Sequence, residues 1–155
     1  MEKIFKFDET VIRVGIESVD CYDALDQLAN TLCNAGYVKR SYVEAIIARE
    51  KIFPTGLPTG KYGVAIPHAD ICHVNSSMIA IGILKDPVEF KNMGNIEDTV
   101  STKIIFMLAM NNSENQVKLL SAFMGNLQDQ ELLKNLAEAK NVHSVIKLID
   151  GKIKF

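Results

Sequence analysis

With 155 residues, 48% of them hydrophobic and 23% charged, the chain is sized for one compact domain that needs neither disulfide nor metal staples. Its 17 basic and 19 acidic side chains leave a formal net charge of -2 with no block of five or more basic residues, which argues against a nucleic-acid or anionic-membrane surface. Three cysteines (Cys21, Cys33, Cys72) without a Cys-x-x-Cys pair, an opening MEKIFKFDET too charged for a signal peptide, and apolar runs far short of a membrane span lead to the expectation of a soluble cytoplasmic protein with no membrane insertion.

In chain order, Val11–Val14 is read as a short strand. Asp20 or Asp23 then caps a helix whose apolar face is Ala24, Leu25, Leu28, Ala29, Leu32 and Cys33, and Gly36 follows in the place of a left-handed C-terminal residue. Ser41 and Glu44 have capping-box spacing, so a second helix is expected from Tyr42 to about Ile52, where Pro54 prevents continuation. The run from Phe53 to Gly63, FPTGLPTGKYG, reads as an irregular, exposed loop. Val64-Ala65-Ile66 is a short strand, and Pro67 leaves His68 at its end.

Met78–Leu84 and Val88–Phe90 are expected as two strands, and Ile104–Ala109 as a buried one. Ser113 begins a third helix with Gln116 at the capping-box position; Asp129 caps a fourth and Asn141 a fifth. No linker, repeat or low-complexity tract divides the sequence, so residues 1–155 are expected to form one domain. The order of elements implies an α/β fold with a mixed β-sheet flanked by helices rather than a regular βαβ repeat.

Chemistry-bearing residues are few. His143 opens the last helix without catalytic company and reads as a surface or capping residue. His68 differs, since a strand end beside a Gly/Pro loop holds a side chain firmly with its tip open, and a neutral imidazole can attack phosphorus. The competing reading is a loop histidine that packs or hydrogen-bonds. His68, Asp70, Cys72 and His73 match no defensible zinc spacing, and nothing lowers the pKa of Cys72, so neither a metal site nor a thiol enzyme is expected. PTGLPTGK is not a Walker A loop, because Tyr62 stands where Ser or Thr is required; its backbone N–H groups, Thr55, Thr59 and Lys61 could still cradle phosphoryl oxygens, although a plain turn-forming loop is the commoner outcome. Arg49 could fork onto an anion or pair with a carboxylate on its helix.

The stretch Arg49–Asp70, REKIFPTGLPTGKYGVAIPHAD, resembles the signature of the fructose/mannitol-type enzyme IIA domains of the bacterial phosphoenolpyruvate-dependent sugar phosphotransferase system. The matching elements are Arg49-Glu50, Thr55-Gly56, Gly63–Ile66 and Pro67-His68. The resemblance implies a phosphotransferase and phosphocarrier with a mixed sheet flanked by helices. His68 would accept a phosphoryl group on Nε2 from a histidine-containing phosphocarrier protein and pass it to a cysteine of a cognate IIB protein or domain, which serves a membrane IIC component. Arg49 would buttress the active loop or screen phosphoryl charge, with Thr55, Gly56 and Lys61 as loop or phosphoryl support and no cofactor or metal. Ile66, Leu57 and Met78 are expected around the phosphohistidine. Many relatives carry a second histidine where Gln116 aligns; Gln116 can donate a hydrogen bond but no positive charge, and this departure is most like the galactitol-specific IIA components. The alternative implied is a regulatory IIA-like module that binds protein targets according to its phosphorylation state. Neither the sugar nor self-association is read from the sequence.

Overall fold

The computed structural model describes residues 7–150, so part of the charged opening stretch, residues 1–6, lies outside the described residues. Strand β1 spans Ile12–Ile16, following a 3-10 turn at Glu9–Val11. Helix α1 (Cys21–Asn34) begins under Asp20, whose carboxylate accepts the Asp23 N–H at 2.8 Å, while Asp23 accepts the Val19 N–H at 3.0 Å. Both candidate caps are therefore used. The helix closes at Gly36, φ +89°, with Tyr37 N–H bonded to the Leu32 carbonyl and Gly36 N–H to that of Cys33, a left-handed closure that suits a residue without Cβ.

Helix α2 covers Ser41–Ile52, but the expected capping box is absent. Ser41 lies inside the first turn, and its hydroxyl sits 2.8 Å from His73 Nδ1 instead of capping an N–H of its own helix. Helix α3 (Ser113–Asn126) is capped by Asn112, which accepts the Asn115 N–H at 3.1 Å, and not by Ser113 with Gln116. Helices α4 (Gln130–Ala137) and α5 (Val142–Ile149) start as expected under Asp129 and Asn141.

The strands depart further from expectation. Loop 53–63 contains a two-residue strand, β2 (Gly56–Leu57), antiparallel to β3 (Gly63–Ala65). The two strands expected between residues 78 and 90 are one, β4 (Met78–Asn92), and β5 (Asn95–Ala109) reaches nine residues before its expected start at Ile104. Pro87 does not break β4 because the β5 register lapses between Ile83 and Val88, where the missing N–H forfeits no ladder bond. β1 runs parallel to β4, β3 parallel to β5, and β2 parallel to β4 at Asn92, so the mixed sheet links β2 to the far end of the β4–β5 hairpin.

Alternation along the hairpin splits the core into two layers. Ile79, Ile81, Ile83, Ile104, Phe106 and Leu108 meet the apolar faces of α3, α4 and α5, with the Phe106 and Phe123 rings 5.0 Å apart. Ala65, Ala80, Ile105, Met107 and Ala109 meet α1 and α2. Gly82 lets α1 approach on that side, because a Cβ there would stand 2.9 Å from Ile16 Cδ1 and 3.2 Å from Leu28 Cδ2. Each large apolar side chain buried in these layers contributes about 1.5–3 kcal/mol. Among the described residues no helix is long and apolar enough to cross a membrane.

Candidate functional site

The chain passes from β3 through Pro67 to His68 while staying alongside β5. Leu108 N–H donates to the Pro67 carbonyl at 2.9 Å, and His68 forms a parallel bridge with Leu108. On the other side of Leu108, its carbonyl accepts the fully buried Tyr42 hydroxyl at 2.8 Å. One β5 residue thus joins the histidine segment to α2, the helix that carries Arg49.

The imidazole of His68 is half-buried, and its Nδ1 lies 3.0 Å from the Ile66 carbonyl. A carbonyl oxygen only accepts, so Nδ1 holds the proton and Nε2 keeps its lone pair. Burial is the main reason the His68 pKa lies below its ordinary 6.5; the Ile66 hydrogen bond opposes it, Arg49 lowers it further, and Asp70 raises it. At neutral pH the ring is therefore an uncharged nucleophile with its free nitrogen defined.

His68 lines a cleft of about 440 Å³ together with Arg49, Ile52, Phe53, Pro54, Thr55, Met93, Gly94 and Ile96. Arg49 stacks over the Phe53 ring at 5.2 Å and reaches Asp70 Oδ1 at 3.6 Å, while its Nε is buried without a partner. A guanidinium and a neutral imidazole lining one cleft suit a tetrahedral oxyanion such as a phosphoryl group.

Of the other residues singled out from sequence, Thr55 lines the cleft, but its backbone N–H and hydroxyl both donate to Glu50, at 2.7 and 2.8 Å. Neither donor is free for a phosphoryl oxygen. Gly56 lies behind the cleft and holds its far wall: its carbonyl accepts the Met93 N–H at 2.8 Å, and a Cβ on it would fall 2.7 Å from the Lys91 carbonyl. Lys61 is exposed, lies over the Tyr62 ring at 5.4 Å, and does not line the cleft. Its loop is drawn to the start of α4 by Gln130, which donates to the Thr59 carbonyl. Gln116 also stands outside the cleft lining, with Oε1 buried and unpartnered.

The apolar ring around His68 is not the expected one. Leu57 and Met78 pack on the core, and Ile66 offers its carbonyl from a buried position. The wall is made instead by Ile52 and Phe53 at the end of α2 and by Met93 and Ile96 at the tip of the β4–β5 hairpin, exposed by 65, 60, 39 and 50%. The Met93-Gly94 turn between Asn92 and Asn95 was the available signal for that tip, since a Gly in a two-residue connection marks a hairpin. His73 is engaged by Ser41, and His143 is exposed in the first turn of α5. Among the described residues no group of three His, Cys, Asp or Glu side chains is placed to hold a metal ion.

Residues 5–152 match the family described as phosphoenolpyruvate-dependent sugar phosphotransferase system, EIIA 2. The galactitol-specific EIIA component of Escherichia coli K12 is 32% identical over 125 residues, 81% of this chain and 83% of that protein. The fructose-specific EIIABC component of Bacillus subtilis is 32% identical over 143 residues, 90% of this chain but 21% of that longer protein. Among solved structures, the complex of enzyme IIA-mannitol and phosphorylated enzyme IIB-mannitol from Escherichia coli aligns with TM-score 0.76 and 24% identity, over 94% of this chain and 98% of the matched one.

Proposed function

Because the chain belongs to the EIIA 2 family of the phosphoenolpyruvate-dependent sugar phosphotransferase system, we propose that it is a phosphocarrier in which His68 Nε2 takes a phosphoryl group from a histidine-containing phosphocarrier protein and passes it to a cysteine of a cognate IIB component, which serves a membrane IIC component. The observation that carries this reading is the His68 Nδ1–H bond to the Ile66 carbonyl, which leaves Nε2 as the attacking atom beside Arg49.

In the first step the Nε2 lone pair forms the new N–P bond while the donor nitrogen takes back the electron pair of the old one. Nδ1 keeps its proton throughout, so the phosphorylated ring carries a positive charge next to the phosphoryl oxygens. In the second step a cysteine thiolate attacks phosphorus, the Nε2–P bond breaks, and the neutral ring returns. There is little covalent work for the protein beyond alignment and charge compensation, and Arg49 supplies the latter. Ile52, Phe53, Met93 and Ile96 form the apolar rim on which both partners dock in turn and exclude water from the transfer.

We assign galactitol as the compound served, on the galactitol-specific relative of comparable length and on Gln116, which resembles that type. Incubation with phosphoenolpyruvate and the general phosphotransfer proteins should give an acid-labile, base-stable phosphate label. His68→Ala should abolish it, and His73→Ala and His143→Ala should not. An unlabelled wild type beside competent partners, or a labelled His68 variant, overturns the assignment. Labelled protein should discharge fastest onto a galactitol-specific IIB; faster discharge onto mannitol or fructose IIB removes the galactitol assignment. Discharge onto no IIB cysteine assigns the regulatory role instead.

A further inference from the structure

We propose that Glu50 is a positioning residue for His68, acting through Thr55 and Ile66. The inference rests on the phosphocarrier reading for its functional consequence, but the geometry is independent of it. Glu50 is one of three polar or charged side chains buried among the described residues, and it neighbours Arg49 on α2. Both of its carboxylate oxygens are engaged: Oε2 accepts the Thr55 N–H at 2.7 Å and Oε1 accepts the Thr55 hydroxyl at 2.8 Å. The Thr55 carbonyl in turn accepts the Ile66 N–H at 3.3 Å, and the Ile66 carbonyl accepts His68 Nδ1–H at 3.0 Å.

Four residues from α2, the loop, and the β3 exit are thus joined by consecutive hydrogen bonds that end on the nucleophile's own ring. Without the clamp, Thr55 would be free to leave Ile66, and the carbonyl that holds the Nδ1 proton would lose its fixed direction. A ring without that acceptor carries its proton on either nitrogen, and a proton on Nε2 blocks attack on phosphorus.

The side-chain type matters as much as its position. Thr55 presents two donors, and Glu50 answers with two acceptor oxygens when it is ionised, above the value of about 7 to which burial pushes it. A glutamine of the same shape offers one acceptor and sets its NH2 against the second donor. Glu50→Gln is therefore a minimal break of the relay, and Thr55→Val is a second break from the other side. Thr55→Ser keeps the hydroxyl and serves as the restoring variant.

The experiment uses the full chain with 15N-labelled histidine at about pH 8, above the Glu50 pKa of about 7, so that Glu50 is ionised. Ring-nitrogen shifts report the His68 tautomer, and initial rates of phosphoryl acceptance are taken at varied donor concentration. We expect a pure Nδ1–H ring in the wild type and a mixed tautomer in Glu50→Gln and Thr55→Val. The rate at saturating donor should fall on the order of tenfold in both, with KM changed less than about twofold. Thr55→Ser should restore both readouts, and the His73 and His143 signals should not move. Folded variants with the wild-type His68 tautomer and rate overturn the proposal. If the tautomer shifts as stated but even the wild type accepts no phosphoryl group, the positioning role stands and the phosphocarrier reading falls.

Discussion

Glu50→Gln should also remove a pH-dependent loss of stability carried by the wild-type chain. The Glu50 carboxyl is 5% exposed, and burial pushes its pKa from the ordinary 4.5 up to about 7 against the two Thr55 hydrogen bonds, which favour the charged form. The unfolded chain releases that proton near the ordinary value, so between there and about pH 7 the folded state holds one proton more. Stability then falls as pH rises: the favourable contribution is complete below 4.5 and gone above the folded pKa. At about 1.4 kcal/mol per pH unit, the interval amounts to about 3 kcal/mol. Gln cannot ionise and lacks this slope, although its mismatched NH2 adds a pH-independent cost of about 1–3 kcal/mol. The lowered pKa of His68 acts with the opposite sign, removing stability as pH falls below 6.5; the Ile66 hydrogen bond raises that pKa, so loosening it in Glu50→Gln lowers it further and adds to the same swing in favour of the variant at higher pH. Urea unfolding of the two proteins from about pH 5 to about pH 8 should show the stability gap swinging by about 3 kcal/mol in favour of the variant. A gap constant to within about 0.5 kcal/mol across that range would refute the argument that burial governs this carboxyl.

Arg49→Ala should raise the His68 pKa toward its ordinary value, because burial stays while a neighbouring cation is lost and Asp70 remains; an NMR titration of the ring that shows no change, or a fall, contradicts this electrostatic account. Tyr42→Phe removes the donor to the Leu108 carbonyl in a fully buried position and should cost about 1–3 kcal/mol in denaturant unfolding, where a neutral result would mean that the carbonyl has found another donor. Gly63→Ala would drive a Cβ to 2.2 Å from the Ser101 carbonyl and 2.6 Å from Val100 Cγ1, so β3 must move; a loss of about 1–3 kcal/mol is expected, and an unchanged unfolding midpoint would show that the strand edge yields freely.

The sheet-and-helix architecture was legible because it rests on local signals. Asp20, Asp129 and Asn141 cap helices through side chains three residues from their targets, and the apolar runs Met78–Leu84 and Ile104–Ala109 mark the buried lengths of β4 and β5. A capping box has the same spacing wherever it occurs, however, and at Ser41 a tertiary partner, His73, claimed the hydroxyl. At Pro87 the apparent strand break vanished because the partner register lapses there, a fact held by β5 and not by the neighbours of the proline.

The wall of the cleft lay further out of reach. Met93 and Ile96 join Arg49 and His68 only because β2 pairs with the end of β4, and loop 53–63 gave no periodicity by which a two-residue strand could be seen. By itself the sequence determined which side chains could do chemistry, and where most helices begin, since propensity, capping and periodicity act over a few residues. The tertiary structure alone decided which nitrogen of His68 is free, that the donors of Thr55 belong to Glu50 and that Lys61 points elsewhere, because hydrogen bonds and burial are set by residues that the chain brings together from separate elements.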